Sequence, residues 1–291
     1  MGQRMHGRRI VLLVVLASLV AGCQSRQPPV SSPGTVTRPP TSTATPSTTG
    51  VSPTTTHGTR PTPTTALPPT TKPPPTTRAA LPSALVGTEW TRLPTTRKVV
   101  ALTFDAGGDA AGVQSILATL ASTGTPATFF ATGRWVARYP QQARTIAARY
   151  PMGNHTQTHP DLTGLSDQAV RDEVTTAQAG ILEATGRDPR PLFRFPYGAS
   201  DRRTIGIVND LGYGAFRWTI DTLGWKGTSG GQSVATVVGR VLAGLRPGAI
   251  VLLHVGANPD DGSTLDADAL PTLISQVHGR GYGVVTISTY L

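Results

Sequence analysis

The chain has 291 residues, with 26 Lys and Arg against 16 Asp and Glu, and a single cysteine, which excludes an intramolecular disulfide. Residues 1–97 hold ten basic residues and one acid, a net charge of +9, whereas residues 98–291 hold 16 and 15, a net charge of +1. The C-terminal two thirds are nearly neutral, which argues against a nucleic-acid-binding domain.

The first 22 residues have the pattern of a secretion signal. Three arginines precede an apolar stretch from 10 to 20, which is too short to span a bilayer. Cys23 follows two small residues at the place of a cleavage site, and this arrangement resembles a bacterial lipobox. We therefore expect a signal peptide over 1–22 and a secreted lipoprotein, attached to the bacterial cell membrane through lipidated Cys23 and facing the cell wall. The alternative is an ordinary signal peptide with a chance cysteine.

The next segment has the composition of a tether. Residues 24–80 contain 14 Pro and 18 Thr, and apolar residues are too few to offset the entropy lost on folding. Proline favours extended geometry, and the rest of such a segment is flexible. We predict a disordered linker over residues 23–95.

From residue 96 onward, short apolar runs alternate with helical patterns, which predicts one domain over 96–291. Strands separated by helices of ten or more residues form right-handed βαβ units in a parallel sheet. The expected fold is α/β, an incomplete or distorted (β/α) barrel with about seven parallel strands, preceded by the disordered tether. The predicted strands include 99–104, 127–130, 192–195, 213–220, 249–253 and 282–287, and the predicted helices are 110–121, 137–150, 166–184, 201–211, 233–245 and 265–277.

In barrels of this kind, chemistry is carried by residues just past the carboxyl ends of the strands. Asp105 stands at the end of the first predicted strand, where an unpaired charge is unfavourable. It is either a reactive group or a cap of the next helix, and Asp109 is the better cap. Arg194 lies between two phenylalanines, so it needs an anionic partner or a position facing solvent.

Three of the four histidines in this region also follow predicted strands. His155 and His159 are four residues apart and are able to share a metal if the segment is helical or tightly turned; otherwise they are surface or capping residues. His254 ends the run 250–253 and is either reactive or a hydrogen-bonded core histidine.

Taken in order, these motifs resemble those of the polysaccharide deacetylase family, also called the NodB-homology family or carbohydrate esterase family 4. A further strand, Ala127–Gly133, is similar to one common in that family. Each motif alone is weak, but their order and spacing across residues 96–291 are specific. The five motifs are Thr103–Gly107, His155–His159, Arg194–Gly198, Asp221–Trp225 and Leu252–His254.

The resemblance implies a metal-dependent hydrolase that removes N-acetyl groups from an amino-sugar polymer such as peptidoglycan or a chitin-like glycan. In the family, an Asp and two His hold a divalent metal, most often zinc, and the matching histidines are His155 and His159. A bound divalent metal lowers the pKa of its water and polarises the substrate carbonyl. The resemblance thus predicts zinc as the cofactor.

The resemblance also assigns catalytic roles. Asp105 matches the general base, and Arg194 matches the arginine that keeps this base ionised and oriented. The backbone N–H of Tyr197 matches the donor to the oxyanion, and His254 matches the acid that protonates the leaving amine.

The substrate pocket is expected to include Trp225, Asp221 and Leu252. An aromatic face suits the apolar side of a sugar ring and an acetyl methyl group. The alternative for Trp225 is packing in the core.

Two positions depart from the family pattern. The usual metal-binding Asp is replaced by Ala106, so the two histidines would bind metal more weakly unless Asp109 serves as the third ligand. The Asp that usually precedes the tryptophan and tunes the acid histidine is replaced by Gly224, so Asp221 or another group must act on His254.

Two other functions stay open. A glycan-binding pseudoenzyme is favoured by Ala106, whereas a candidate base and acid at Asp105 and His254 argue against it. A hydrolase of another non-peptide C–N bond is the second alternative. The predicted partners are a carbohydrate polymer and a membrane reached through Cys23, with no nucleic acid or protein partner predicted.

Overall fold

The computed structural model describes residues 81–291. The predicted signal peptide, Cys23 and most of the predicted linker lie outside the described residues. No helix between residues 81 and 291 has both the length and the apolar character needed to cross a membrane.

The elements alternate along the chain as the sequence predicts. The strands are β1 (Glu89–Trp90), β2 (Val99–Ala106), β3 (Thr128–Ala131), β4 (Met152–Asn154), β5 (Leu192–Phe193), β6 (Gly214–Phe216), β7 (Ile220–Asp221), β8 (Ala249–His254) and β9 (Gly283–Val285). The helices are α1 (Val113–Thr123), α2 (Gly133–Arg138), α3 (Pro140–Ala147), α4 (Asp167–Thr185), α5 (Arg202–Asp210), α6 (Val234–Gly244) and α7 (Leu265–Gly279).

The strands form one parallel sheet in the order β1-β6-β5-β4-β3-β2-β8-β7, with β9 also paired to β2. Within residues 81–291, β1 and β7 stand at opposite edges and do not pair, so the barrel is incomplete. The predicted (β/α) architecture is confirmed, with nine strands between residues 81 and 291 instead of about seven.

The folded domain begins earlier than the predicted boundary at residue 96. Glu89 and Trp90 form β1 and pair with β6, and the side chains of Leu85 and Leu93 are buried. The predicted linker over 23–95 is therefore too long at its C-terminal end, because residues 85–93 supply apolar side chains and a strand to the domain.

Two predicted elements are each split in two. The predicted strand over 213–220 forms β6, which pairs with β1 and β5, and β7, which pairs with β8 at the far edge. The predicted helix over 137–150 covers the end of α2 and all of α3, which are separated at Tyr139. Pro140 starts α3 because proline fits the first turn of a helix but not its interior.

The period-two alternation of β2 separates the two faces of the sheet. Val100, Leu102 and Phe104 pack into the large cluster beneath the helices, and Phe104 stacks on Phe129 with ring centroids 5.1 Å apart. Burying such an apolar side chain contributes roughly 1.5–3 kcal/mol. The residues between them point to the concave face, where Ala101 is apolar but Asp105 is charged. The carboxyl end of this face is therefore the polar end.

Candidate active site

The strand register brings the predicted residues to one edge of the sheet. Asp105 on β2 is level with His254 on β8. Asn154 on β4 is level with Ala131 on β3 and with Phe193 on β5, so His155 and Arg194 follow on adjacent strands. Residues from four separated parts of the chain thus meet past the carboxyl ends of neighbouring strands.

Asp105 is held by Arg194 through a buried ion pair. Nη1 of Arg194 donates to Oδ1 of Asp105 at 2.7 Å, and Nη2 donates to Oγ1 of Thr103 at 2.9 Å. Nε and Nη2 of Arg194 also donate to the carbonyl oxygens of Phe216 and Arg217. These bonds satisfy the fully buried guanidinium and fix the direction of the carboxylate. Of the two alternatives for Arg194, an anionic partner or a position facing solvent, the structure shows the anionic partner.

The charge of Asp105 is maintained by its neighbours. Burial alone would raise its pKa, but the positive charge of Arg194, with smaller effects of His155 and His254, holds the pKa of this carboxyl below its usual value. Oδ1 is engaged by Arg194, whereas Oδ2 faces Nε2 of His155 at 3.4 Å. The site thus contains an ionised carboxylate with one oxygen turned towards the histidines.

His155 is oriented by its own backbone contact. Its Nδ1 lies 2.8 Å from the carbonyl oxygen of Arg194, and because a carbonyl only accepts, Nδ1 carries the proton and donates. Burial lowers the pKa of His155, so the imidazole is neutral and Nε2 presents a lone pair towards Asp105. A lone pair facing a carboxylate oxygen is favourable only with a cation or a hydrogen-bond donor between them.

His159 lies against His155 in a turn, not a helix. The ring centroids of the two histidines are 4.7 Å apart, and the ring of Tyr197 is 4.7 Å from that of His159. Burial and the neighbouring His155 lower the pKa of His159 to about 4. Both imidazoles are therefore neutral near pH 7, as metal ligands must be.

Backbone strain concentrates at this edge of the sheet. Among the described residues, the non-glycine residues with positive φ are Thr156, His159, Tyr197 and Leu223, with φ between 58° and 69°. All four belong to the loops that carry the predicted motifs. Such conformations are unfavourable for residues with a Cβ and are found mainly where function over-determines the backbone.

Glu173 on α4 organises the histidine loop, and sequence reasoning did not assign it to the site. Its Oε2 accepts from the backbone N–H groups of Gln157 and Thr158 at 2.9 and 2.8 Å, and its Oε1 accepts from Oγ1 of Thr158 at 2.7 Å. The available signal was a carboxylate on the apolar stripe of an amphipathic helix, beside Val170 and Val174.

The donor set fits a divalent cation in part. His155 and His159 offer two neutral imidazoles beside the carboxylate of Asp105, and the bond from Nδ1 of His155 to a carbonyl is the usual outer contact of a metal-bound histidine. Ala106 is buried and has no ligand atom. Within residues 81–291, no three His, Cys, Asp or Glu side chains stand together as a metal-binding set.

The structure places Asp109 in a structural role, which does not support the prediction of a third metal ligand. Its Oδ1 accepts from the backbone N–H groups of Ala111 and Ala257, and its carbonyl accepts from the indole of Trp135. Asp109 therefore links the loop after β2 to the loop after β8. It is also not the cap of α1, which begins after Gly112.

His254 lies on the other side of Asp105, where Asp266 on α7 contacts it. Oδ2 of Asp266 accepts from the backbone N–H of His254 at 2.8 Å and lies 3.5 Å from its Nδ1. Burial lowers the pKa of His254, but Asp266, followed by Asp105 and Asp221, outweighs burial and raises it. Asp266 is therefore the carboxylate in contact with His254, and Asp221 raises the pKa of His254 only through its charge.

The predicted pocket residues occupy different positions. Trp225 is 47% exposed, with Nζ of Lys226 5.5 Å from its ring centroid, so packing in the core is excluded. Asp221 is partly buried and its Oδ1 accepts from the backbone N–H of Leu223. Leu252 is 3% exposed in β8, between Thr103 and Asp221 in the sheet. Trp225 is thus the one of the three with a large surface open to a ligand.

Comparison with known proteins is consistent with this arrangement. The profile of the polysaccharide deacetylase family matches residues 92–216. The chain is 34% identical over 213 residues to a chitooligosaccharide deacetylase of Bradyrhizobium sp. (strain ANU 289), covering 70% of this chain and 95% of that protein. It is also 32% identical over 208 residues to the peptidoglycan-N-acetylglucosamine deacetylase PgdA of Listeria monocytogenes, covering 71% of this chain and 41% of PgdA. The chain belongs to the polysaccharide deacetylase family.

A solved structure shows that this fold also occurs without activity. The chain resembles BA3943 from Bacillus anthracis, described as a pseudoenzyme of carbohydrate esterase family 4, with 30% identity and a TM-score of 0.64. The match covers 70% of this chain and 69% of that one. Family membership therefore has to be supported by the chemistry of the site before an activity is assigned.

Proposed function

We propose that the domain hydrolyses the N-acetyl group of an amino-sugar polymer, releasing acetate and a free amine. The observation that carries this proposal is the placement of a base and an acid on adjacent strands. Asp105 is ionised and fixed by Arg194, and His254 is level with it in the sheet with a raised pKa. A site that only binds glycan has no need of this pair.

The first step uses Asp105 as the general base. Its Oδ1 is engaged by Arg194, so Oδ2 is the oxygen that accepts a proton from the attacking water. Arg194 keeps the carboxylate ionised before the transfer and oriented during it. The backbone N–H of Tyr197, set by a positive φ beside His159, is proposed as a donor to the oxyanion of the tetrahedral intermediate.

The second step uses His254 as the general acid. Its Nδ1 faces Asp266, so Nε2 is the nitrogen left to deliver a proton to the sugar nitrogen. The C–N bond breaks as this proton arrives, acetate leaves, and the amine remains on the polymer. Without protonation the amine is a very poor leaving group.

His155 and His159 are proposed to hold a divalent cation, with zinc the best match to two imidazoles. Such a cation would polarise the acetamide carbonyl and favour ionisation of water. The orientation of His155 by the carbonyl of Arg194 and the neutrality of both rings support this assignment.

Peptidoglycan is the proposed polymer, and the cell envelope the proposed location. The predicted secretion signal over 1–22, the predicted lipidation of Cys23 and the Pro- and Thr-rich sequence that follows favour a protein attached to the membrane and facing the cell wall. The relatives named as chitooligosaccharide deacetylase and peptidoglycan-N-acetylglucosamine deacetylase support a polymer that contains N-acetylglucosamine as substrate.

Acetate release from N-acetylated chitooligosaccharide and from purified peptidoglycan tests the proposal. We expect release by the full chain, its loss with a chelator and its return on adding zinc. Release that is unaffected by chelator would contradict the metal assignment. Binding of both glycans with no acetate at any metal concentration would contradict the hydrolase and support a glycan-binding pseudoenzyme.

The pseudoenzyme is the second candidate because one observation favours it. Ala106 supplies no ligand atom, Asp109 is engaged by backbone groups, and the fold has a pseudoenzyme neighbour. A two-histidine site binds metal more weakly than a three-ligand site. The metal content of protein that is saturated with zinc and then dialysed therefore separates the two functions. Retention of one equivalent of zinc favours the enzyme, and retention of none favours the binder.

A further inference from the structure

Gly224 leaves space that a carboxylate occupies. A Cβ on Gly224 would fall 2.2 Å from Oδ1 and 2.6 Å from Cγ of Asp266. Gly224 is not among the glycines with positive φ, so its backbone conformation is open to any residue. The absence of a side chain at Gly224 is therefore explained by the carboxylate of Asp266 and not by the turn.

Asp266 is unusually deeply buried for a carboxylate in the first turn of a helix. It is 3% exposed, whereas carboxylates at helix N-termini normally lie in solvent. Its Oδ2 accepts from the backbone N–H of His254 at 2.8 Å and lies 3.5 Å from Nδ1 of His254. Within residues 81–291, neither Oδ1 of Asp266 nor Nδ1 of His254 has a hydrogen-bond partner, so each is left to the other. A buried carboxylate with so few partners is costly unless a positive charge faces it. His254 is the group beside it that is able to carry that charge.

The charges around His254 come from several elements. Carboxylates act on it from α7 (Asp266), β2 (Asp105) and β7 (Asp221), and the neutral His155 and His159 are the bases that interact with it electrostatically. Burial acts against the charged imidazole, and Asp266 is the first of the groups that act for it. Asp105 is already neutralised by Arg194, which leaves Asp266 as the carboxylate most available to His254.

We propose that Asp266 is the positioning residue of His254, and that its carboxylate uses the space left by Gly224 to orient the imidazole and stabilise its protonated form. This role depends on the proposed function only in that His254 is the acid of the reaction. With Nδ1 directed to Asp266, Nε2 is free to face the substrate. The carboxylate is thus delivered by a distant helix, not by the loop that contains Trp225.

The first test measures His254 directly by NMR in the full chain as purified. The variant Asp266→Asn keeps the shape of the side chain and removes the charge, and we expect His254 to titrate at lower pH than in the wild type. The matched control is Asp268→Asn, which removes an exposed carboxylate from the same helical turn. We expect no change in this control. An unchanged titration in Asp266→Asn, or an equal change in both variants, would overturn the proposal.

The second test exchanges the two positions. In Asp266→Ala, His254 should titrate at lower pH and kcat for acetate release should fall about tenfold to a hundredfold with KM unchanged. In the double variant Gly224→Asp with Asp266→Ala, the new carboxylate enters the same space, so we expect the titration and kcat to return towards wild type. If Asp266→Asn fails to fold, the double variant decides. A folded double variant in which His254 titrates at the same low pH as in Asp266→Ala would overturn the proposal.

The two measurements separate this inference from the proposed function. If the wild type releases no acetate while Asp266→Asn still lowers the titration of His254, the hydrolase fails and the positioning contact stands. If the wild type releases acetate and His254 titrates identically in every variant, the hydrolase stands and the role of Asp266 fails.

Discussion

The two sides of the site are built differently. On the base side, Asp105, Arg194 and His155 are buried. Arg194 forms an ion pair with Asp105 and donates to Thr103, and Nδ1 of His155 donates to the carbonyl oxygen of Arg194. On the acid side, the side chain of His254 is 29% exposed, and its ring is held by one contact of 3.5 Å to Asp266. The base side is buried in the interior of the domain, whereas the acid side is partly exposed to solvent.

This difference predicts how the two sides respond to substitution. Removing one partner of a buried ion pair leaves the other charge uncompensated, which costs about 3–5 kcal/mol. Replacing His254 removes the charge that faces the buried Asp266, but Asp266 keeps its hydrogen bond from the backbone N–H of residue 254, so the cost is smaller. A change on the base side should therefore reduce both activity and stability, and a change on the acid side should reduce activity with a smaller effect on stability.

Asp105→Asn should give the largest effect. It removes the proton acceptor and leaves the buried guanidinium of Arg194 unpaired, so we expect kcat to fall by about 10³–10⁴ and the free energy of unfolding by about 3–5 kcal/mol. Acetate release and urea unfolding measure the two quantities. An active variant would refute the assigned base, and full stability would refute the account of the ion pair.

His254→Gln should lower kcat by about 10²–10³ with KM nearly unchanged, because general acid catalysis is lost while the rest of the site remains. We expect the free energy of unfolding to fall by about 1–2 kcal/mol, clearly less than in Asp105→Asn, because Asp266 loses a facing charge but keeps its backbone hydrogen bond. Both variants should be measured side by side. A loss of stability equal to that of Asp105→Asn would show that the two sides do not differ as described.

Glu173→Gln should weaken metal binding by about tenfold to a hundredfold, because two backbone donors and a hydroxyl of the histidine loop lose a charged acceptor. Zinc titration monitored by calorimetry measures the affinity. Glu183→Gln is the matched control, since it removes an exposed carboxylate from the same helix. Equal affinity in both variants would remove Glu173 from the site.

The pH profile of kcat follows from the two pKa directions. The raised pKa of His254 keeps the acid protonated to higher pH than its ordinary value of ~6.5, so the rate should fall only as the pH rises through that raised value. The lowered pKa of Asp105 keeps the base ionised, so the rate should fall on the acid side only below its ordinary pKa. A fall of kcat with rising pH whose midpoint lies below pH ~6.5 would contradict the account of His254.

Trp225→Ala should give the smallest effect. A half-exposed aromatic ring contributes about 0.5–1.5 kcal/mol to holding a sugar face, so KM should rise about twofold to tenfold with kcat nearly unchanged. Initial rates over a range of oligosaccharide concentrations measure this. A fall in kcat with constant KM would assign Trp225 to the chemistry and not to binding.

The same contrast explains what the sequence predicted. The base side is built from strand ends, so the apolar run before Asp105 predicted both its strand and the edge of the sheet where the site lies. The position of Arg194 between two phenylalanines predicted either an anionic partner or exposure to solvent, and the structure shows Asp105 as the partner. These residues were predictable because strand register converts separated positions into neighbours.

The parts that were missed depend on contacts between elements. Asp266 reaches His254 from the first turn of α7, and Glu173 reaches the histidine loop from α4. Neither contact is encoded in local spacing, because both depend on how a helix packs on the sheet. The carbonyl oxygens of Phe216 and Arg217, in the middle of the predicted strand 213–220, accept from Arg194, and local spacing does not encode this contact either.

The most direct test of the central claim is the mass spectrum of a defined N-acetylated oligosaccharide after incubation with wild type and with Asp105→Asn, both loaded with zinc. We predict the loss of single acetyl groups with all glycosidic bonds intact in the wild type, and unchanged substrate with the variant. Equal deacetylation by both proteins, or an unmodified substrate with a metal-loaded wild type, would contradict the assignment of Asp105 and His254 as the base and acid of a deacetylase.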